Sequence, residues 1–85
     1  MTNLGYDETQ RAVKLFNDWA LILTFAGRQM QAESVYRHAI DAGQAGSKES
    51  ILPPVLLYNY AGVLRDLGRF HEAREYSERA SVKRG

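Results

Sequence analysis

The sequence predicts an all-α protein built from two helical hairpins, and three observations carry that expectation. Apolar residues recur at steps of three and four, the spacing of one helix face. A single glycine, Gly27 and then Gly68, interrupts each of two paired helical patterns. The second half of the chain also repeats the first at a fixed offset.

The first helix is expected from Asp7, with Asp7 or Thr9 capping its free amides and Asp7 and Glu8 meeting the positive end of its dipole. Ala12, Leu15, Phe16, Trp19, Ala20, Ile22, Leu23 and Ala26 make a wide apolar face, with Val13, Leu21 and Phe25 off it. Gly27 ends it. The second helix carries Met30, Ala32, Val35, Tyr36, Ala39 and Ile40 and stops near Gly43. Loop chemistry follows in GQAGSKESIL, residues 43–52. Proline is tolerated in a first helical turn and disfavours helix just before it, so the third helix begins at Pro53 or Pro54 and runs to Leu67. Leu57, Tyr60, Ala61 and Leu64 form its stripe, and Gly68 supplies a left-handed end. The fourth runs from near Arg69 toward Val82, on Phe70, Ala73, Tyr76, Ser77 and Ala80. So short a joint folds each pair back antiparallel. Residues 1–6 and the basic SVKRG end are expected to fray.

Eighty-five residues allow one domain, burying roughly 60–65% of the unfolded surface. Net charge is +1, from 11 basic and 10 acidic residues, which gives no field to draw in nucleic acid or an anionic membrane. There is no cysteine, so disulfides and thiolate metal sites are excluded. The polar start MTNLGYDETQR lacks the pattern of a signal peptide, and no apolar run approaches a membrane span. A cytoplasmic setting is the expectation.

Gly27 falls on Gly68 at an offset of 41 residues. At that offset Phe16 meets Leu57, Trp19 meets Tyr60, Ala20 meets Ala61, Leu23 meets Leu64, Ala32 meets Ala73 and Ala39 meets Ala80. Chance pairing of two amphipathic helices would align apolar faces, but not the glycine and three small residues together. These positions resemble the tetratricopeptide repeat family, a helix–turn–helix with a large apolar residue, L-G-x-x-Y, a turn glycine, A-x-x-x-F/Y and a further alanine. Repeat 1 covers about 13–43, an insertion 44–52, and repeat 2 about 53–83. The period exceeds the family's ~34 residues, as in the longer repeats of kinesin light chains. HEAT and armadillo repeats have periods of ~40–47 residues, but the single-glycine turn and the small-residue positions argue against them. Ser77 stands where repeat 1 has Tyr36, so Tyr76 or a neighbour must fill that space.

The resemblance implies two hairpins stacked as a short right-handed α-solenoid, with the first helix of each repeat lining a concave groove. Its positions here are Lys14, Asn17, Asp18, Leu21, Thr24 and Phe25, then Val55, Tyr58, Asn59, Gly62, Arg65 and Asp66. The partner-binding set expected is Lys14, Asn17, Leu21, Phe25, Tyr58, Asn59 and Arg65. Asn59 matches a family asparagine that often holds a ligand's backbone, which an amide does by donating and accepting at once. Tyr58 offers aromatic area, and Arg65 a carboxylate partner. The family's carboxylate clamp is not expected, because Asn17 and Leu21 stand where it needs lysine and asparagine.

Catalysis would rest on His71 with Glu75, or His38 with Asp41, at helical spacing. Neither pair carries an accompanying motif, and both fit a solvated face. Arg65, Arg69, Arg74, Arg79, Lys83 and Arg84 are interleaved with Asp66, Glu72, Glu75 and Glu78, which reads as ion pairing rather than nucleic-acid binding. The expectation is a non-catalytic protein–protein interaction module without cofactor or metal, taking a peptide or protein in a groove between its first and third helices. The alternative is a self-assembly element, or part of a longer array. About three repeats are normally needed for stability, and no polar capping helix is recognisable after the second hairpin. That end is therefore expected to be the open one.

Overall fold

A computed structural model describes residues 6–46 and 52–82. They form four α-helices: α1 (Tyr6–Phe25), α2 (Gln29–Gly46), α3 (Pro54–Asp66) and α4 (Phe70–Val82). No strand occurs among the described residues. Helix α1 packs along α2, α3 packs along α4, α2 also packs on α3, and α1 touches α3. The expected fraying of residues 1–5, the loop chemistry of 47–51 and the basic 83–85 lie outside the described residues, as does the Asp7 side chain.

The two joints are one turn made twice. Gly27 has φ +80° and Gly68 φ +81°, the region where an L side chain is strained. The Gly27 amide donates to the Thr24 carbonyl at 3.0 Å and the Arg28 amide to Leu23 at 2.9 Å. In the second joint Gly68 donates to Arg65 at 3.0 Å and Arg69 to Leu64 at 2.8 Å. This pair of bonds satisfies carbonyls that a helix end leaves unpaired. The carbonyls of Arg28 and Arg69 then accept from Ala32 and Ala73, which starts the next helix each time. At α3, Pro53 is the capping residue and Pro54 the first helical one, as the proline rule requires.

Helix starts and stops differ from expectation in two places. Helix α1 is already formed at Tyr6, so Thr9 is not its cap but is buried inside the helix. Helix α2 continues through Gly43 to Gly46. Gly43 is thus no stop but a buried helical position beneath Leu52 and Val13, where a Cβ would meet the tip of the Leu52 side chain and lie 3.4 Å from Val13. Leu52 is accordingly buried, despite its place at the end of a loop-like stretch.

The core is centred on Val13, Tyr36, Leu56, Val63 and Leu64, with Ala20, Ala32, Ala39, Ala61 and Ala73 at the helix contacts. Tyr60 ties the hairpins together, with its ring 6.0 Å from Tyr36 and 4.8 Å, edge-on, from Tyr76. Tyr76 thus occupies the aromatic place that Ser77 leaves, and Arg79 stacks on it at 5.0 Å. The apolar face of α1 is rotated from expectation. Val13 is 2% exposed, whereas Leu15, Trp19 and Ile22 are more than half exposed.

Candidate functional site

Lys14, Asn17, Asp18, Val55, Tyr58 and Asn59 lie on two helices that touch only lightly, α1 and α3. A cleft of about 440 Å³ opens there, lined by Lys14, Asn17 and Asp18 from one side and Pro53, Val55 and Leu56 from the other. Lys14 pairs with Asp18 at 3.1 Å along α1, which offsets its charge. The Asn59 amide donates to the Asn17 side-chain oxygen at 3.4 Å, joining the two repeats across the groove. One donor of Asn59 is therefore used inside the protein. The Asn17 NH2, the second Asn59 N–H and the Asn59 oxygen remain as donors and an acceptor for a ligand. A second hollow of about 300 Å³ adjoins Val55, where Tyr58, 61% exposed, lies beside Ala80 and Ser81.

The expected set is thus brought together in part. Lys14 and Asn17 line the cleft and Asn59 bonds to Asn17 across it, whereas Tyr58 lines the second hollow, against α4. Phe25 is the last residue of α1 and stands 82% exposed, and Arg65 is exposed in the last turn of α3. Both belong to the turn end of the hairpins. Leu21 is half-buried between the two ends.

The strongest polar cluster lies elsewhere and was not expected from the sequence. Glu33, in α2, is 4% exposed. It accepts from Arg37 at 2.6 and 3.2 Å and from the Tyr60 hydroxyl at 2.8 Å, and it pairs with Arg69 at 3.4 Å. Arg69 is in turn held by Glu72 at 2.6 Å. Burial alone would push the Glu33 carboxyl up, but the Arg37 and Tyr60 hydrogen bonds and the charges of Arg37 and Arg69 outweigh it and hold it below the ordinary range. Burial, then the Glu33 bond and charge, push the Tyr60 phenol up. Such a satisfied cluster fixes how the hairpins register. A sequence signal did exist in the four-residue Glu33–Arg37 spacing, but that spacing is usually a surface pair. Tyr36 contrasts with it. Its hydroxyl is buried with no hydrogen bond of proper geometry among the described residues, although the Thr24 hydroxyl, which donates to the Ala20 carbonyl at 2.9 Å, lies near it.

The two ends of the molecule differ in kind. Leu15, Trp19 and Ile22 are 68%, 53% and 65% exposed, in a row along α1. Their counterparts 41 residues on, Leu56, Tyr60 and Val63, are 0%, 3% and 1% exposed because α2 covers them. At the other end, α4 presents Arg74, Glu75, Glu78 and Ser81 to solvent. No helix follows α4 among the described residues, but the outer face of α4 is itself largely polar, so the more apolar open face is that of α1 and not the end after the second hairpin.

His38 and His71 are exposed. Among the described residues no group of three His, Cys, Asp or Glu side chains could hold a metal ion, and no helix is long and apolar enough to cross a membrane. No family model matches the chain, and neither a curated protein nor a solved structure matches it significantly.

Proposed function

We propose that this chain is a non-catalytic protein–protein interaction module of tetratricopeptide-like design, two hairpins stacked as a short right-handed solenoid. It takes an extended peptide or protein segment in the groove between α1 and α3. The observation that carries this reading is the 440 Å³ cleft between those helices, where apolar Val55 and Leu56 face the polar Lys14, Asn17 and Asp18. A few placed polar groups on an apolar floor suit a ligand that buries side chains and orients its backbone. The Asn17–Asn59 pair would do the orienting, and Tyr58 would add contact area.

Peptides selected by display against the full chain test the proposal. Binding of the selected sequences should weaken at least fivefold for Asn59→Ala and for Tyr58→Ala, with the melting temperature nearly unchanged. Binders indifferent to both substitutions and to Lys14→Ala would place the interaction elsewhere and sink the groove reading.

A further inference from the structure

The repeat offset supplies a template for what fits the open face of α1. In the second repeat the row Leu56, Tyr60 and Val63 is covered by α2, which brings three features to it. Glu33 accepts from Tyr60 and pairs with Arg69, Tyr36 packs on the Tyr60 ring, and Ile40, one turn further, is 4% exposed. The first repeat offers the same receptors, and among the described residues nothing lies on them. Trp19 replaces Tyr60 and keeps a single polar hydrogen, the indole N–H, as a donor. Arg28 replaces Arg69. Where Arg69 is neutralised by Glu72, Arg28 meets neutral Gln31 at 3.4 Å and, among the described residues, no carboxylate. Beside Trp19 lies a hollow of about 210 Å³, lined by Phe16, Trp19, Ser34, Val35 and His38.

We propose that the open face of α1 binds an amphipathic helix of a partner protein that imitates α2. Its contact face carries a carboxylate for Arg28 and the Trp19 indole, a large apolar residue three positions on for the hollow, and an aliphatic residue four beyond that. A second copy of this chain does not supply such a helix. Its own α2 is already covered by α3, and its α4 bears Arg74, Ser77 and Ser81 where α2 bears Glu33, Tyr36 and Ile40. Head-to-tail stacking would set Arg74 near Arg28 and serines against an apolar row. The complementarity of charge and shape asks for an acidic amphipathic helix instead.

The test uses the full chain, whose one tryptophan is Trp19, and a synthetic peptide of residues 29–46 as the probe. Titration should blue-shift and saturate the Trp19 emission. Glu33→Gln in the peptide should raise the half-saturation point about tenfold, the weight of a hydrogen bond to a charged group. Arg28→Ala in the protein should do the same, and the two changes together should cost little more than either. The proposal is overturned if no shift occurs at the solubility limit, or if the peptide carrying Glu33→Gln binds as well as the parent. It is also overturned if Arg69→Lys weakens binding while Arg28→Ala does not, since the peptide would then be displacing the chain's own α2. A blue shift that follows protein concentration with no peptide would assign the face to a second copy, which also overturns it.

Discussion

Tyr60→Phe deletes one oxygen from the middle of the hairpin interface and should show how much the Glu33 cluster contributes. Tyr60 is 3% exposed, and its hydroxyl donates to Glu33 at 2.8 Å. A hydrogen bond to a charged group is worth about 1.5–3 kcal/mol. Glu33 keeps Arg37 at 2.6 Å and Arg69 at 3.4 Å after the substitution, so no carboxylate is stranded. The loss should therefore fall at the low end, about 1.5 kcal/mol. In a domain of this size each kcal/mol moves the melting midpoint by roughly 4–8 °C, which predicts a fall of roughly 6–12 °C. Thermal melts by circular dichroism at neutral pH measure it, with Tyr58→Phe as the exposed control that should not move. Glu33→Gln completes a double-mutant cycle whose coupling should be about 1 kcal/mol. A Tyr60→Phe midpoint within about 2 °C of wild type, or an additive cycle, would refute the claim that this bond sets the interface.

Other outcomes follow from the same geometry. Glu33 has a depressed folded-state pKa, so its contribution is complete above the ordinary value of 4.5 and is lost as pH falls through and below it. Tyr60 is raised above its ordinary 10.0, so stability falls again as pH climbs past that value. Denaturant midpoints across pH should show both limbs, with Glu33→Gln flattening the acid one and Tyr60→Phe reducing the alkaline one. Gly27→Ala and Gly68→Ala should each cost about 1–2 kcal/mol in chemical denaturation, and by similar amounts. A Cβ meets nothing within 4 Å at either site, so only the left-handed backbone is being charged. Gly43→Ala should change stability by no more than about 1 kcal/mol in chemical denaturation, since the added Cβ meets only the flexible tip of Leu52 and alanine's better helix propensity offsets the repacking.

The hairpin turns were legible because each depends on one residue type at one backbone angle, and Gly27 and Gly68 announce it. The small residues at Ala61 and Ala73 were legible for a similar reason, since close helix contact leaves room for little else. The inward face of α1 was not. Apolar residues cover more than half of its circumference, so periodicity leaves several inward directions open, and Val13 or Leu15 could each have faced the core. The choice is made by α2, which takes Val13 into the core. Glu33 was hidden for a related reason. Its spacing to Arg37 belongs to one helix and suggests a surface pair, while its burial depends on Tyr60 and Arg69 from the other hairpin. In the groove, Asn59 was picked out as a ligand-holding amide. That its nearest polar partner would be Asn17 requires knowing how α1 and α3 meet, which no local pattern encodes.

The repeat offset turns the difference between the two ends into a controlled comparison. Ile22 and Val63 hold the same place in the two repeats, as do Leu15 and Leu56, yet the first of each pair is open and the second sealed. Ile22→Lys removes no packing in the free chain and adds no buried charge, so stability should change by no more than about 0.5 kcal/mol. Val63→Lys, at a position 1% exposed, must bury an ammonium among apolar groups and should cost several kcal/mol, enough to unfold a domain this small. Melting the two variants side by side decides it. Were Ile22→Lys to destabilise the chain as Val63→Lys does, the α1 row would already be covered in solution, and the polar face of α4 would no longer distinguish a closed end from an open one. If the two diverge as expected, adding the residue 29–46 peptide should raise the wild-type melting temperature by mass action and leave Ile22→Lys where it was. Stability would then be coupled to occupancy of a face that the described residues of the free chain leave bare.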